Sequence, residues 1–354
     1  MAAGVADRGR RVTGPHPGDP TTSGSLADLA RAAGTSVSTA SRALSGHSSV
    51  NEKTRARIRT LADAHGFQPN QLARNLRLQR TQSIGLVLPL GHETGQHLSD
   101  PFFLSLLGHL ADGLTERGYD LMLSRVIPTD GDWLDRLVDS GRIDGLILIG
   151  QSDQGAVIDR VAARYAPIVV WGADLPGQRY LTVGSDNRLG GARAAQHLIA
   201  IGRRRLLYLG NASAPEFAER LAGFQAAVEA GGLGVVGQTL DLHMTPDAAY
   251  TAIAAYLADN PAPDAIFAAS DVVAMSALRA LRERGLRVPQ DVAVVGYDDV
   301  TLAAHTTPAL TTIRQDLVTG AAALVDLLFR RIAGEPAESR LLDPQLIGRG
   351  SSVG

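Results

Sequence analysis

The chain contains no cysteine, so disulfides, thiolate metal sites and cysteine nucleophiles are excluded and nothing argues for an oxidising compartment. It has one lysine, Lys53, set among charges in Asn-Glu-Lys-Thr-Arg. A Walker-type phosphate loop needs Gly-Lys-Ser/Thr and a Schiff-base enzyme needs a desolvated lysine, so both chemistries are excluded as well. Long apolar runs are also missing. No stretch approaches the roughly 18 apolar residues that span a bilayer, and the first 24 residues carry charge without the apolar centre of a secretory signal. A cytoplasmic protein with no membrane partner is expected. The 9 histidines are scattered without ligand spacing such as HExxH, so neither a metal nor a cofactor is expected.

At about 100 to 200 residues per domain, 354 residues make two or three folding units. Their charge is uneven. Residues 1–81 hold 12 Arg and Lys against 5 Asp and Glu, a net +7, and the rest of the chain carries −9. A basic N-terminal module on an acidic body suggests that the first part meets a polyanion.

Residues 1–24 are rich in Gly, Pro, Ser and Thr without periodicity and read as a disordered tail. From Ser25 the pattern becomes helical. Ser25 and Asp28 form an N-cap signature, Leu26, Leu29, Ala30 and Ala33 follow at helical spacing, and Gly34 ends the helix. Thr35 and Ser36 restart a short helix, Val37 to Leu44, with Val37, Ala40, Ala43 and Leu44 expected inward and Ser38, Thr39, Ser41 and Arg42 along a small polar face. Two short helices joined through a glycine turn make a helix-turn-helix. The second suits a major groove, and Arg42 is placed to bond guanine or clamp a phosphate. A third helix, capped by Asn51 and carrying Thr54, Ile58, Leu61 and Ala64, supplies the remaining core up to Gly66, and Phe67 packs the exit. The headpiece is thus expected over residues 25–69. A short helical signal with Leu72 and Leu76 follows in the basic stretch 70–81, too short to be stable alone. It suits packing against a partner copy or wedging into a DNA base step.

From residue 82 to about 350, aliphatic runs alternate with helical patterns, which implies parallel doubly wound sheets. The alternation restarts at Leu181, giving a second, similar subdomain, with crossovers expected near residues 180, 312 and 342. Ligands bind at the carboxyl ends of parallel strands, so the residues after each strand are candidates: Phe102, Phe103, Gln151, Asp153, Arg188, Ser270, Asp271, Asp298 and Asp299, with Phe224 in the second half. Aromatic faces, an arginine and acids suit a polyhydroxylated ligand. Asp186 and Asp271 are expected to cap the helices that follow them. The Gly232-Leu-Gly234-Val-Val-Gly237 stretch matches the dinucleotide glycine spacing, but it follows a helix and leads to a strand expected at 239–242, the reverse of the Rossmann order. Adjacent carboxylates at Asp298 and Asp299 point differently, and no second acid is placed opposite by sequence, so a catalytic pair is not expected.

The segments Leu29-Ala-Arg-Ala-Ala-Gly-Thr-Ser-Val-Ser-Thr-Ala-Ser-Arg-Ala-Leu44, Val50-Asn-Glu-Lys-Thr-Arg55 and Gly66-Phe-Gln-Pro-Asn70 resemble the lactose-repressor and galactose-repressor (LacI/GalR) transcription regulators. The likeness extends from Ser25 to Val353. It implies an N-terminal all-α helix-turn-helix headpiece with a hinge helix, followed by a two-lobed α/β effector domain like that of periplasmic binding proteins. By the same resemblance Thr35, Ser36, Val37, Ser38, Thr39, Arg42, Asn51 and Asn70 contact DNA, Val37, Ser38 and Arg42 fall where bases are read, and Leu76 enters the minor groove at the operator centre. Phe102, Phe103, Asp153, Arg188, Phe224, Ser270 and Asp298 then hold the effector. The expected protein is a homodimeric repressor of carbohydrate-utilisation genes, without catalytic residues, that binds double-stranded operator DNA under control of a sugar. No leucine-heptad tail follows Ile347 to make a tetramer. Two alternatives stay open: a purine-type corepressor regulator on the same scaffold, and a sugar-binding receptor without DNA function.

Overall fold

The computed structural model describes residues 25–45, 47–67, 80–91, 95, 97–232 and 234–353. The tail expected over 1–24, most of the 70–81 hinge, and with it Asn70 and Leu76, lie outside the described residues. The chain divides into two units, one ending at Gln79 and one beginning at Arg80.

In the first unit, α1 (Leu26–Ala32) opens with a capping box. The Asp28 amide donates to Ser25 Oγ and the Ser25 amide to the Asp28 carboxylate, so two otherwise orphaned donors are satisfied at once. Gly34 turns the chain at φ 60°, a conformation in which a side chain is strained. Ser36 caps α2 (Val37–Leu44) and Asn51 caps α3 (Glu52–Ala64), each side chain accepting an amide three residues on. Leu29, Ala33, Ala43, Val50, Ile58 and Ala62 form the core, with Leu61 and Phe67 packed against it. Two inward assignments are corrected. Val37 is 46% exposed because it opens α2 ahead of the turn that meets the other helices, and Ala64 faces solvent while Ala62, four residues after Ile58, takes its place.

The second unit is two doubly wound lobes. The first contains β1 (Ser83–Pro89), α4 (Pro101–Thr115), β2 (Asp120–Val126), α5 (Trp133–Val138), β3 (Gly145–Ile149), α6 (Gly155–Ala162), β4 (Ile168–Trp171) and β5 (Leu181–Ser185). In the second are α7 (Asn187–Ala200), β6 (Arg205–Leu209), α8 (Pro215–Ala230), β7 (Val236–Leu240), α9 (Pro246–Asp259), β8 (Ala265–Ala268), α10 (Asp271–Glu283), β9 (Ala293–Asp298) and β10 (Thr311–Arg314). The chain then returns through α11 (Leu317–Ile332) and β11 (Arg340–Leu342) to the first lobe and ends with β12 (Gln345–Ile347) in the second. Strand order is β11-β5-β4-β3-β1-β2 in one sheet and β12-β10-β9-β8-β6-β7 in the other. Pairing is parallel except at β10–β12, where the returning chain adds an antiparallel edge.

The chain changes lobes around Asp186, at Gln315–Asp316 and at Asp343–Pro344. β5, expected to begin the second lobe, pairs with β4 and belongs to the first. Sequence alternation is the same on both sides of a crossover, so it does not register which sheet a strand joins. β7 likewise begins at Val236, not 239. Its first residues are exposed on the sheet edge and lack the apolar run that would mark them.

Helices α7 and α8 touch backbone to backbone. A Cβ on Gly191 would stand 2.0 Å from the Arg220 carbonyl oxygen, and one on Gly223 would stand 1.9 Å from that of Arg188. Only glycine allows this approach, which sets Arg220 against the start of α7.

A candidate DNA-reading helix and ligand cavity

On α2 the side chains of Ser36, Val37, Ser38 and Arg42 are exposed. Ser36 Oγ lies 2.9 Å from Ser38 Oγ and 2.8 Å from Thr39 Oγ1, so a small hydroxyl cluster surrounds the cap. Thr39 is half-buried, and Thr35 is half-buried with its hydroxyl enclosed and unpartnered. Asn51 Oδ1 accepts the Thr54 amide at 2.8 Å, which leaves its NH₂ group outward. Arg57 donates to the Ala33 carbonyl and Arg55 to those of His47 and Val50. These two arginines brace the helices, whereas no such bond to the backbone holds the exposed Arg42, Lys53 and Arg59 among the described residues.

In the second unit a cavity of about 80 Å³ lies between the lobes and opens to solvent. α4 positions Phe102 and Phe103. Pro101 starts that helix, and Asp100 caps it through the Phe102 amide at 2.9 Å, so both rings project from its first turn. Phe102 stands edge-on to Phe103 at 5.6 Å and tilted to Trp171 at 6.1 Å. From the other lobe, the first turns of α8 supply Glu216, Phe217 and Arg220, and the ends of β8 and β9 supply Ser270 and Asp298.

Arg220 is buried. Its Nε donates to Asn187 Oδ1 at 2.8 Å and its Nη1 to the Ala269 carbonyl at 2.6 Å, and its guanidinium lies 3.7 Å from the centre of the Tyr297 ring. Glu216 Oε1 accepts the Gln151 amide of the opposite lobe at 3.2 Å, and burial pushes the Glu216 carboxyl above its ordinary range. Asp298 accepts from Gln315 Nε2 at 2.7 Å and sits at φ 116°. Burial pushes its carboxyl up to about 7 against the pull of Arg220, and the buried Asp271 carboxyl is raised by burial and then by Asp298. Ser152, also on the wall, has φ 53°. Left-handed backbone at two non-glycine wall residues is the kind of strain that collects at binding sites.

Of the residues singled out in sequence, Phe102, Phe103, Ser270 and Asp298 line this cavity. The other six, Phe224, Arg188, Asp153, Gln151, Asp271 and Asp299, do not, Asp299 instead pairing with Arg314 and Arg349. Phe224 is 1% exposed and packs on Tyr208 and Phe267. It shares a face of α8 with Glu216 and Arg220 but lies one turn deeper, inside the core. Arg188 points outward to Glu219 at 2.8 Å, because the cap at Asp186 turns Asn187 inward and a helix rotates about 100° at the next residue. Asp153 is exposed and accepts from Ser152 Oγ and Gln154 Nε2. Gln151 is buried but serves as scaffold, bonded to Ala173 and Tyr180. Ser270, not Asp271, caps α10, while Asp271 accepts from Thr312 Oγ1 and the Val300 amide. Asp186 does cap α7.

Asp100, Ser152, Trp171, Glu216, Phe217, Arg220 and Gln315 were not singled out. Trp171 ends β4 and Gln315 follows β10, so the strand-end rule reaches both. Arg220 carries no such mark, because its place depends on the α7–α8 contact.

Among the described residues no helix is long and apolar enough to cross a membrane, and no cluster of His, Asp and Glu is arranged to hold a metal. Residues 25–70 match the family model for bacterial regulatory proteins of the lacI family, and residues 195–352 match that for a periplasmic binding protein-like domain. The chain is 33% identical to the HTH-type transcriptional regulator CelR of Thermobifida fusca, over 88% of this chain and 92% of the relative. It is 30% identical to the ribose operon repressor of Escherichia coli, over 92% and 99%. A solved structure described as a transcriptional regulator CelR–cellobiose complex superposes with a TM-score of 0.67 at 31% identity, over 93% of this chain and 99% of the other. With a glycine-turned helical headpiece before a two-lobed parallel α/β body, and relatives matched along nearly their whole length, the chain belongs to the lacI family of bacterial regulatory proteins.

Proposed function

We propose that the protein is a cytoplasmic, homodimeric transcriptional repressor whose grip on operator DNA is controlled by a sugar bound between the lobes, and that it is not an enzyme. The observation that carries the ligand class is the composition of the cavity wall. Phe102, Phe103, Trp171 and Phe217 offer ring faces, while Asp100, Glu216 and Asp298 offer carboxylates and Arg220 a single guanidinium already engaged by Asn187 and Ala269. A sugar is rich in hydroxyl donors and has apolar C–H faces, so it satisfies carboxylate acceptors and stacks on rings. A purine has few donors for so many acceptors, and a sugar phosphate would meet an excess of negative charge. The relative solved as a CelR–cellobiose complex and the ribose operon repressor support the same reading.

On the DNA side, Ser36, Val37, Ser38 and Arg42 present the exposed edge of α2, Thr39 supports the cap, and the outward NH₂ of Asn51 faces a phosphate. Two such headpieces in a dimer read a pseudo-palindrome. Fluorescence anisotropy on the DNA upstream of the gene, at fixed salt because salt alone moves such affinities, tests the whole reading. Release by cellobiose, ribose or another sugar supports it. Tightening by hypoxanthine or guanine replaces it with a purine corepressor, and the absence of sequence-specific binding rejects the regulator. In the same assay Arg42→Ala is expected to weaken specific binding by about 10- to 100-fold, the worth of one bidentate base contact, and an unchanged affinity removes Arg42 from the interface.

Asp298 adds a pH dependence. Its carboxyl titrates at about 7 in the folded protein and near 3.9 in an unfolded chain. The folded state therefore holds the proton more tightly, and this group's contribution to stability is lost as pH rises from about 4 to 7. Ligand affinity runs the other way, since the ionised carboxylate is the better acceptor of a sugar hydroxyl. Calorimetric titration with cellobiose is expected to show tighter binding at pH 8 than at pH 6, with the slope absent in Asp298→Asn. A wild-type profile flat across that window would place the carboxyl out of contact with the sugar.

A further inference from the structure

The second unit begins at Arg80, and the residues leading into β1 are held by one carboxylate. Asp144, immediately before β3, accepts the Thr81 amide at 2.7 Å and Thr81 Oγ1 at 2.9 Å on Oδ1, and the Gln82 amide at 3.0 Å on Oδ2. Its own amide donates to the Ser83 carbonyl at 2.9 Å, and the Gln82 carbonyl accepts from Asp120 at 2.8 Å. Gln82 sits at φ 54°, a left-handed conformation that a glutamine adopts only when its surroundings hold it there. Burial and then the charge of Asp144 push the Tyr119 phenol up, against the pull of Arg80. None of these groups lines the cavity.

Two elements nevertheless run between this anchor and the cavity. β3 starts at the residue after Asp144, and its last residue, Ile149, is on the cavity wall together with Gly150. Five residues of strand span about 16 Å. Helix α11 follows Gln315, which lines the cavity and donates to Asp298, and its Phe329 packs edge-on against Tyr119 at 4.9 Å. A strand in the middle of a sheet and a packed helix move as rigid pieces, so a displacement at their cavity ends is delivered at their far ends.

We propose that Asp144 is a positioning residue for the allosteric response: it fixes the direction in which the chain leaves the ligand-binding unit at Thr81–Gln82, and through β3 it ties that direction to the state of the cavity. The proposal rests on the sugar-controlled reading above and specifies the route by which the sugar is felt. An isosteric Asp144→Asn change puts an NH₂ group where an acceptor stood. One of the amides of Thr81 and Gln82 then faces a donor, while β3 keeps its backbone pairing.

The test uses the full chain, with Asp144→Asn and Thr81→Val as separate variants. Cellobiose affinity without DNA is expected within about twofold of wild type, while the ratio of operator affinities with and without cellobiose, typically about 5- to 150-fold in coupled systems, falls to within about twofold of unity. Amide exchange at Thr81 and Gln82 in the free protein is expected to quicken about tenfold with Leu86 to Leu88 unchanged, as local release of an anchor requires. A coupling ratio that survives in both variants overturns the proposal. If Asp144→Asn lowers the melting temperature too far for titration, Thr81→Val, which leaves β3 untouched, decides. If wild-type protein answers to no sugar, the sugar-controlled reading fails. The anchor is then judged by exchange and by sugar-free operator affinity, and unchanged values in both variants reject it.

Discussion

Arg220→Ala is expected to weaken sugar binding by about 100-fold or more while leaving sugar-free operator binding intact. Three effects add. Among the described residues the guanidinium is the one cation on a wall that carries Asp100, Glu216 and Asp298, and its charge opposes the burial that pushes the Glu216 and Asp298 carboxyls up. Asn187 Oδ1 and the Ala269 carbonyl lose their donors in a buried setting. The Tyr297 ring also loses the cation stacked on it at 3.7 Å. A hydrogen bond from the remaining guanidinium N–H to a sugar hydroxyl contributes about 1.5 to 3 kcal/mol, and together with the disturbed wall its loss gives the stated factor. Arg220→Lys should restore little, because an ammonium does not reproduce a planar fork directed at two acceptors. Calorimetric titration of cellobiose and ribose into both variants, with melting curves as a control for folding, measures this. Affinity within threefold of wild type for a folded Arg220→Ala protein would move the ligand out of this cavity.

Ile58→Ala is expected to abolish specific operator binding and leave sugar binding unchanged. Ile58 has no exposed surface, and the rest of the headpiece core is mostly alanine with Leu29 and Val50. Truncating a buried isoleucine costs about 2 to 5 kcal/mol, and a unit of this size rarely holds more than about 3 to 5 kcal/mol in its core. The substitution therefore consumes most of the headpiece's stability, while the two lobes keep cores of their own. Anisotropy on operator DNA and calorimetry with sugar, run on the same preparation, separate the two effects. Operator binding within tenfold of wild type would show that the headpiece draws its stability from elsewhere.

Features set by local chemistry were legible in the sequence. Ser25, Ser36 and Asn51 cap the helices they precede, Gly34 makes the turn, and aliphatic runs separated by helical patterns become parallel strands. Each follows from residues within a few positions of one another. Phe102, Phe103, Ser270 and Asp298 were legible for a related reason: they end a strand or open the helix that follows one, on the side where an open α/β sheet presents its ligand face.

Whatever depended on helix phase against a distant neighbour was not legible. A one-residue step turns Asn187 inward and Arg188 outward, and one further turn of α8 takes Phe224 past the cavity into the aromatic core. β5 carries the pattern of a strand in either lobe, and pairing with β4 alone assigns it. By itself the sequence determined a basic, capped helical headpiece, a two-lobed parallel α/β body and part of the cavity wall, because short-range spacing encodes caps, turns and strand ends. Only the tertiary structure placed Arg220 in the cavity and Asp144 beneath Thr81 and Gln82. Both positions arise from contacts between segments more than 30 residues apart, and no local pattern records those.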